Sequence, residues 1–235
     1  MKESDFRIPQ NSEKYITLQR TAYRSSLGKL FDKLKLGKFY NNNLSSIVER
    51  FRRRKIRKKY YQHIEKDYRD IKDFLPGESQ SILDIGSGMA GIDVFLYKHY
   101  AESNPEIYLL DKQGKSNDIY YDLRSDAAYY NSFRLANQLL KLNGVPKKKV
   151  HTINITEKKF PHENNFDLVI SLLAWGFHFP VSVYLEDAYS ALSQNGKLII
   201  DVRKESSGKQ ELNKKFNNVQ VAADYEKYLR LVCYD

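Results

Sequence analysis

The densest chemical signal in the chain is the run Leu83-Asp84-Ile85-Gly86-Ser87-Gly88-Met89-Ala90-Gly91. An apolar stretch leads into glycines at 86, 88 and 91, formally a G-x-G-x-x-G, and a helical pattern follows. Glycines there permit positive φ and let the backbone approach a ligand closely before the helix begins. Asp84 decides what kind of ligand. A carboxylate just before the loop opposes a bound pyrophosphate, because both are anionic. It suits a ligand with positive charge and N–H donors. Asp111 ends the next apolar run, in Leu109-Leu110-Asp111-Lys112, and from there a carboxylate can accept from both hydroxyls of a ribose. Several adenosine cofactors are held that way, so Asp111 does not choose among them.

S-adenosyl-L-methionine answers the description, with a sulfonium, an ammonium and no phosphate. Asp84-Ile85-Gly86-Ser87-Gly88 resembles motif I of class I S-adenosylmethionine-dependent methyltransferases. The resemblance implies a loop wrapped around the methionine part, with Gly86 and Gly88 against the cofactor. The family's third glycine would fall at Ala90 and is displaced here to Gly91. Asn154-Ile155-Thr156 stands where the family often has an acidic residue for the adenine amino group; Asn154, through its carbonyl, or Thr156 takes that place. Phe160-Pro161 and the run from Phe166 to Ser171 resemble the family's approach to its fourth strand. The resemblance covers residues 76–235 and implies cofactor contacts from Asp84, Gly86, Ser87, Gly88, Asp111, Asn154 and Ser171.

The segment Ser171-Leu172-Leu173-Ala174-Trp175-Gly176-Phe177-His178-Phe179-Pro180 follows the fourth apolar run, where a doubly wound sheet presents its ligand. His178 is the candidate general base, since imidazole accepts a hydroxyl proton near neutral pH. Trp175 and Phe177 would give the substrate an apolar stacking wall. Arg203, on the same rim, is suited to hold an anionic group or to pair with a neighbouring carboxylate. The plainer alternative is a packed loop with His178 bonded to backbone. Tyr120, Tyr121, Asp122, Arg124, Tyr129, Tyr130 and Asn131 are further candidates around the pocket. Two acceptor classes are marked down. No Asn/Asp-Pro-Pro-Tyr follows the fourth run, and the single Cys233 lies in the last strand, remote in topology from a cytosine-C5 chemistry. No His/Asp/Glu cluster shows metal-ligand spacing, so no metal is expected.

These residues need a scaffold, and the apolar pattern supplies it. From Ser81 onward short apolar runs alternate with helical periods, the mark of a parallel sheet with crossover helices. The spacing predicts strands at 81–85, 106–110, 150–155, 166–172 and 197–202. Helices fall at 90–100, 126–143 and 181–192, the last stopped by Asn195-Gly196. Residues 218–222 and 227–234 read as a hairpin. The expected fold class is α/β: a doubly wound Rossmann-like sheet, mostly parallel, with a C-terminal antiparallel hairpin and an N-terminal helical segment. Residues 1–75 make that basic segment and residues 76–235 the methyltransferase domain, with Pro76-Gly77 between them.

In the front segment Ile16, Tyr23, Leu27, Leu30, Phe31 and Leu34 recur at helical spacing up to Gly37, and Asn41-Asn42-Asn43 marks a turn. Ser46 to Glu49 reads as a capping box opening a second helix. Its apolar stripe is Leu44, Ile47, Val48, Phe51, Ile56, Tyr60, Ile64, Tyr68 and Ile71. Around the stripe crowd Arg50, Arg52, Arg53, Arg54, Lys55, Arg57, Lys58 and Lys59. Residues 1–75 hold 20 Lys+Arg against 9 Asp+Glu, a net +11, and the other 160 residues hold 19 against 20. All excess basicity therefore precedes the domain and suits an acidic partner. The leading expectation is O-methylation of a small-molecule or carbohydrate hydroxyl. Alternatives are an RNA methyltransferase that uses Arg50 to Lys59 as its arm, and a non-catalytic cofactor-binding adaptor whose basic helix meets an anionic surface. Hydrophobic content of 41% fits a globular chain, and no signal peptide or transmembrane run is visible, so a cytoplasmic location is expected.

Overall fold

The computed structural model describes residues 1–19, 23, 45–115, 130–162 and 165–235. In chain order its elements are helices α1 (Glu13–Gln19) and α2 (Ser45–Ile71), strand β1 (Ser81–Ile85), helix α3 (Gly91–His99) and strand β2 (Glu106–Asp111). Two short strands, β3 (Gly114–Lys115) and β4 (Tyr130–Asn131), precede α4 (Phe133–Leu142). Then come β5 (Val150–Asn154), β6 (Phe166–Ser171), β7 (Ala174–Phe179), α5 (Leu185–Ser190), β8 (Leu192–Arg203), α6 (Gly208–Lys215), β9 (Asn218–Asp224) and β10 (Tyr228–Tyr234).

Seven strands form one sheet in the order β5-β2-β1-β6-β8-β10-β9. The first five are parallel, and β10 runs antiparallel to both β8 and β9. Strand order grows outward from β1 in one direction through β2 to β5, then reverses through β6. The crevice between the carboxyl ends of β1 and β6 is therefore the switch point where such sheets bind ligands. The expected hairpin is present, but its second strand slots between β8 and β9, so the last strand of the chain is interior.

Side chains alternate across each strand and divide the core in two. Ile82, Ile107, Leu109, Leu168, Ile170, Ile199 and Val232 face α2, α3 and α4. Leu83, Ile85, Val169, Leu198, Ile200, Leu231 and Cys233 face β7, α5 and α6. Phe6, Ile16, Tyr23, Ile56, Tyr60 and Ile64 belong to the first of these clusters, beside Met89, Ala90 and Phe95, so the front of the chain is built into the same core. Asn143, just beyond α4, pins the N-terminal strap by accepting from Arg7 N–H at 2.9 Å and donating to its carbonyl at 2.7 Å.

Several expectations are corrected. The helix expected over 126–143 starts only at Phe133. Tyr130 and Asn131 are paired with Lys115 and Gly114, and Ser132 caps the helix, accepting from Leu135 N–H at 3.4 Å. The helix expected over 181–192 shrinks to a 3-10 turn and α5, because β8 begins at Leu192, opposite Phe166. Asn195-Gly196 thus lies inside β8. The supposed loop after β6 contains the extended segment β7, and the polar stretch before the hairpin contains α6. Phe51, assigned to the apolar stripe of α2, is 87% exposed. Five residues at 3.6 per turn put it about 140° from Ile56. Leu27, Leu30, Phe31, Leu34, Gly37, Leu44 and Asn41 to Asn43 lie outside the described residues. No helix among the described residues is long and apolar enough to cross a membrane.

Candidate active site

The glycine loop turns because its backbone leaves the ordinary regions at three places. Gly86 has φ +77°, Gly88 +52° and Ala90 +57°. At Gly86 a side chain is excluded twice over: a Cβ there would overlap that of Ala174 at the start of β7. Ala90 carries a left-handed conformation that glycine adopts more freely, at a cost of about 1–2 kcal/mol. The displaced Gly91 has a different reason. A Cβ on it would overlap the Tyr60 hydroxyl, so α2 presses on the first turn of α3. Gly86 N–H donates to Leu110 O at 2.7 Å and Ala90 N–H to Ser87 O at 2.8 Å, which fixes the loop.

Three carboxyls surround it. Asp84 shares strand parity with Ile82, which turns it toward α3, where Asp93 occupies the first turn. Asp84 is 3% exposed and Asp93 fully buried. Burial, then the charges of Asp93 and Asp111, push the Asp84 carboxyl well above the usual range. Burial likewise pushes Asp93 up to about 6. Asp111 accepts from Gly88 N–H at 2.8 Å and Lys112 N–H at 2.7 Å, yet burial still pushes it up to about 6. The groups acting on Asp84 are thus burial and two further carboxyls, so its charged form is disfavoured until a cation enters.

Unused polar atoms gather at the same place. Of the six buried side-chain polar atoms without a partner among the described residues, five belong to Ser87, Asp93 and Asn131. Ser87 is in the loop, Asp93 beside Asp84, and Asn131 beside Asp111. Buried polar groups are normally satisfied. A ligand with ammonium and hydroxyl donors would satisfy these, so the residues present fit S-adenosyl-L-methionine.

The other expected site residues divide. Asn154 already accepts from the Thr156 hydroxyl at 2.9 Å, which engages the carbonyl assigned to adenine. Ser171, fully buried, donates to Ile85 O at 2.8 Å and accepts from Trp175 N–H at 3.0 Å, tying β6 and β7 to the glycine loop. Trp175 is corrected from substrate wall to core anchor: it is fully buried and its indole N–H donates to Val181 O at 2.9 Å. Phe177 and His178 are half-buried on β7, their rings edge-to-face at 5.0 Å. Arg203 stacks over the Phe177 ring at 4.2 Å and donates to Phe177 O at 2.6 Å. Tyr120, Tyr121, Asp122, Arg124 and Tyr129 lie outside the described residues.

Two groups escaped sequence reasoning. Tyr184, hidden inside the expected helix, packs against Phe160, Trp175 and Phe179, and its hydroxyl feels the charge of Asp111. The second group centres on Arg230, which is fully buried. It donates from Nε and Nη2 to the two oxygens of Asp201, each at 2.8 Å, and from Nη2 to Asp67 of α2 at 3.1 Å. Each of the three interrupts an otherwise apolar pattern: Ile199-Ile200-Asp201-Val202, Leu229-Arg230-Leu231, and the α2 stripe between Ile64 and Ile71. Opposite charges inside apolar runs were the readable signal.

The basic run on α2 also divides. Arg57 donates to buried Glu13 at 2.8 Å and to Pro9 O at 2.9 Å, Arg53 lies 3.2 Å from Glu13, and Arg52 donates to Tyr23 O at 3.3 Å. Arg54, Lys55 and Lys58 are exposed. Cys233 is buried and its thiol pushed up to about 12 by that burial.

No protein-family model matches the chain, and no curated protein matches it in sequence. Solved structures match in fold. A precorrin-6y C5,15-methyltransferase from Geobacter metallireducens GS-15 is similar over 75% of this chain and 88% of that one, at 11% identity and a TM-score of 0.50. A putative O-methyltransferase from Nostoc punctiforme PCC 73102 is similar over 74% of this chain, at 17% identity and a TM-score of 0.51. This chain spans 56% of that second protein. Sheet order and these likenesses together give the chain the fold of class I S-adenosylmethionine-dependent methyltransferases.

Proposed function

We propose that the protein is an S-adenosylmethionine-dependent methyltransferase acting on a hydroxyl of a small-molecule or carbohydrate acceptor. The observation that carries this reading is the set of three carboxyls, Asp84, Asp93 and Asp111, each pushed up by burial, around a glycine loop at the switch point of the sheet. Bound there, the cofactor supplies a methyl group already activated by its sulfonium. Asp84, backed by Asp93, offers negative charge to an ammonium, and Asp111 offers acceptors to ribose hydroxyls. Ser87 and Asn131 supply the remaining polar contacts. Ser171 holds Ile85 and Trp175, and so keeps β7 against Gly86. His178 takes the acceptor's hydroxyl proton, and Phe177 with Arg203 forms the lip over which an acceptor enters.

Alignment alone supplies much of the rate in such a transfer, so His178 contributes less than the cofactor pocket does. The exposed Arg54, Lys55 and Lys58 favour RNA as the second reading of the acceptor. The deciding experiment is calorimetric titration with S-adenosylmethionine and S-adenosylhomocysteine, beside Asp111→Ala and an NAD control. Saturable binding of the sulfur cofactors, weakened at least tenfold by the substitution and absent for NAD, is expected for a lost charged hydrogen bond pair. A folded protein that binds neither sulfur cofactor would leave a degenerate fold, serving as an adaptor through its basic helix, in its place.

A further inference from the structure

Asp67, Arg230, Asp201, Leu173 and Ala174 form an unbroken line of contacts from the N-terminal helix to the glycine loop. Arg230 bridges Asp67 and Asp201, as described, and its Nη1 also donates to the Asp67 carbonyl at 3.3 Å. The Asp201 Oδ2 that takes Nη2 also accepts from Leu173 N–H at 3.1 Å. Leu173 sits at φ +54°, a conformation that a leucine holds only where its surroundings impose it. The next residue, Ala174, is the one whose Cβ closes on Gly86. Two residues further, a Cβ on Gly176 would come within 2.8 Å of Asp201 O, so β7 has no room to slide on β8.

We propose that Asp67 is a positioning residue for the cofactor loop, acting through Arg230 and Asp201 on the backbone of Leu173. Arg230 has a planar fork of donors, and one carboxylate takes two of them. Asp67 fixes the plane of the fork from the helix side, and the fork fixes Asp201. Asp201 in turn holds the left-handed turn that delivers Ala174 to Gly86. The N-terminal helix is then a working part of the site and not an appendage. The ligand used as probe rests on the methyltransferase reading; the contacts do not.

The test is made on the full chain with Asp67→Asn, which keeps size and shape but removes the charge. Two quantities are read: hydrogen exchange of the Leu173 amide and the dissociation constant for S-adenosylhomocysteine. Both are expected to rise about tenfold, the scale of one weakened charge-assisted hydrogen bond. Ile107→Ala, a cavity in β2 near the opposite rim, serves as the control that lowers the melting temperature without moving either quantity. If Asp67→Asn changes only the melting temperature, as that control does, the proposal is overturned. If Asp67→Asn does not fold, Asp67→Glu, which keeps the charge and alters its reach, is read in the same way. If the wild-type protein does not bind the probe, the functional reading fails, and exchange at Leu173 alone decides the positioning role.

Discussion

The molecule buries two groups of aspartates on the same face of its sheet and treats them oppositely. Asp84, Asp93 and Asp111 gather at the carboxyl ends of β1 and β2 with no buried cation acting on them among the described residues, and their carboxyls are all pushed up. Asp201 and Asp67 enclose Arg230, and Asp70 nearby accepts from Lys66 at 2.7 Å. Burial opposes the charge on Arg230, yet Asp201 and Asp67 hold it well above the usual range. Burial also opposes the charge on Asp70, but Lys66 and the Tyr225 hydroxyl keep it below the usual carboxylate value. Asp84 and Asp201 are both deeply buried on the same face of the sheet, and a buried guanidinium against Asp201 alone is what differs. A carboxyl left without one inside a fold is a cost that a cationic ligand can remove, whereas a carboxyl given one is already part of the frame.

That contrast breaks most readily at Arg230. Arg230→Met should lose about 3–5 kcal/mol of stability, because buried Asp201 and Asp67 would lose the guanidinium that neutralises them. Asp84→Asn should leave the melting temperature of the unliganded protein unchanged or raise it, while abolishing cofactor binding. Thermal unfolding of the two variants side by side checks this, and equal losses would erase the distinction between the groups.

A smaller effect sharpens the comparison through pH. Asp93 and Asp111, raised to about 6, are protonated below that value, so affinity for a cationic cofactor should fall about tenfold per group per unit as pH drops below 6. In the unliganded fold their raised values mean that their contribution to stability declines as pH rises from about 4 to 6. Asp70, depressed, has the opposite sign: its contribution is present above the ordinary carboxylate range and is lost as pH falls through its lowered value. Titrations and unfolding curves between pH 4.5 and 7.5 read the first sign, and unfolding curves carried below about pH 4 read the second, all in buffers of matched ionic strength.

The smallest expected effect is on the exposed basic residues. Replacing Arg54, Lys55 and Lys58 together by Gln should shift stability by no more than about 0.5 kcal/mol, since none sits in the core. The same variant should flatten the salt dependence of RNA binding if RNA is the acceptor, and leave binding of a small acceptor untouched if it is not.

Much of this was legible before any coordinates. Asp84, the glycines and Asp111 mark the loop because strand ends and turns need local residue types, and local types are what a sequence displays. Four of the five parallel strands were placed to within a residue at each end, as at Ser81–Ile85 and Phe166–Ser171, whereas the fifth, read as 197–202, begins five residues earlier at Leu192. The reading failed where one pattern served two structures. The periodicity around Leu185 and Leu192 looked like a single helix, yet pairing of Leu192 with Phe166 claimed its end for β8. Trp175 looked like part of an apolar stacking wall for the substrate, and its indole N–H found Val181 O in the core instead.

By itself the sequence determined the parity within each strand, so that Asp84 shares a face with Ile82, Asp201 with Ile199 and Arg230 with Val232, because alternation along a strand is a property of the backbone. It determined the need for glycine at 86, where a turn follows a buried strand. Only the tertiary structure decided that Asp93 meets Asp84, that Asp67 meets Arg230, and that Ala174 closes on Gly86. Each of those contacts joins segments distant along the chain, and their partners are chosen by packing, which no local pattern contains.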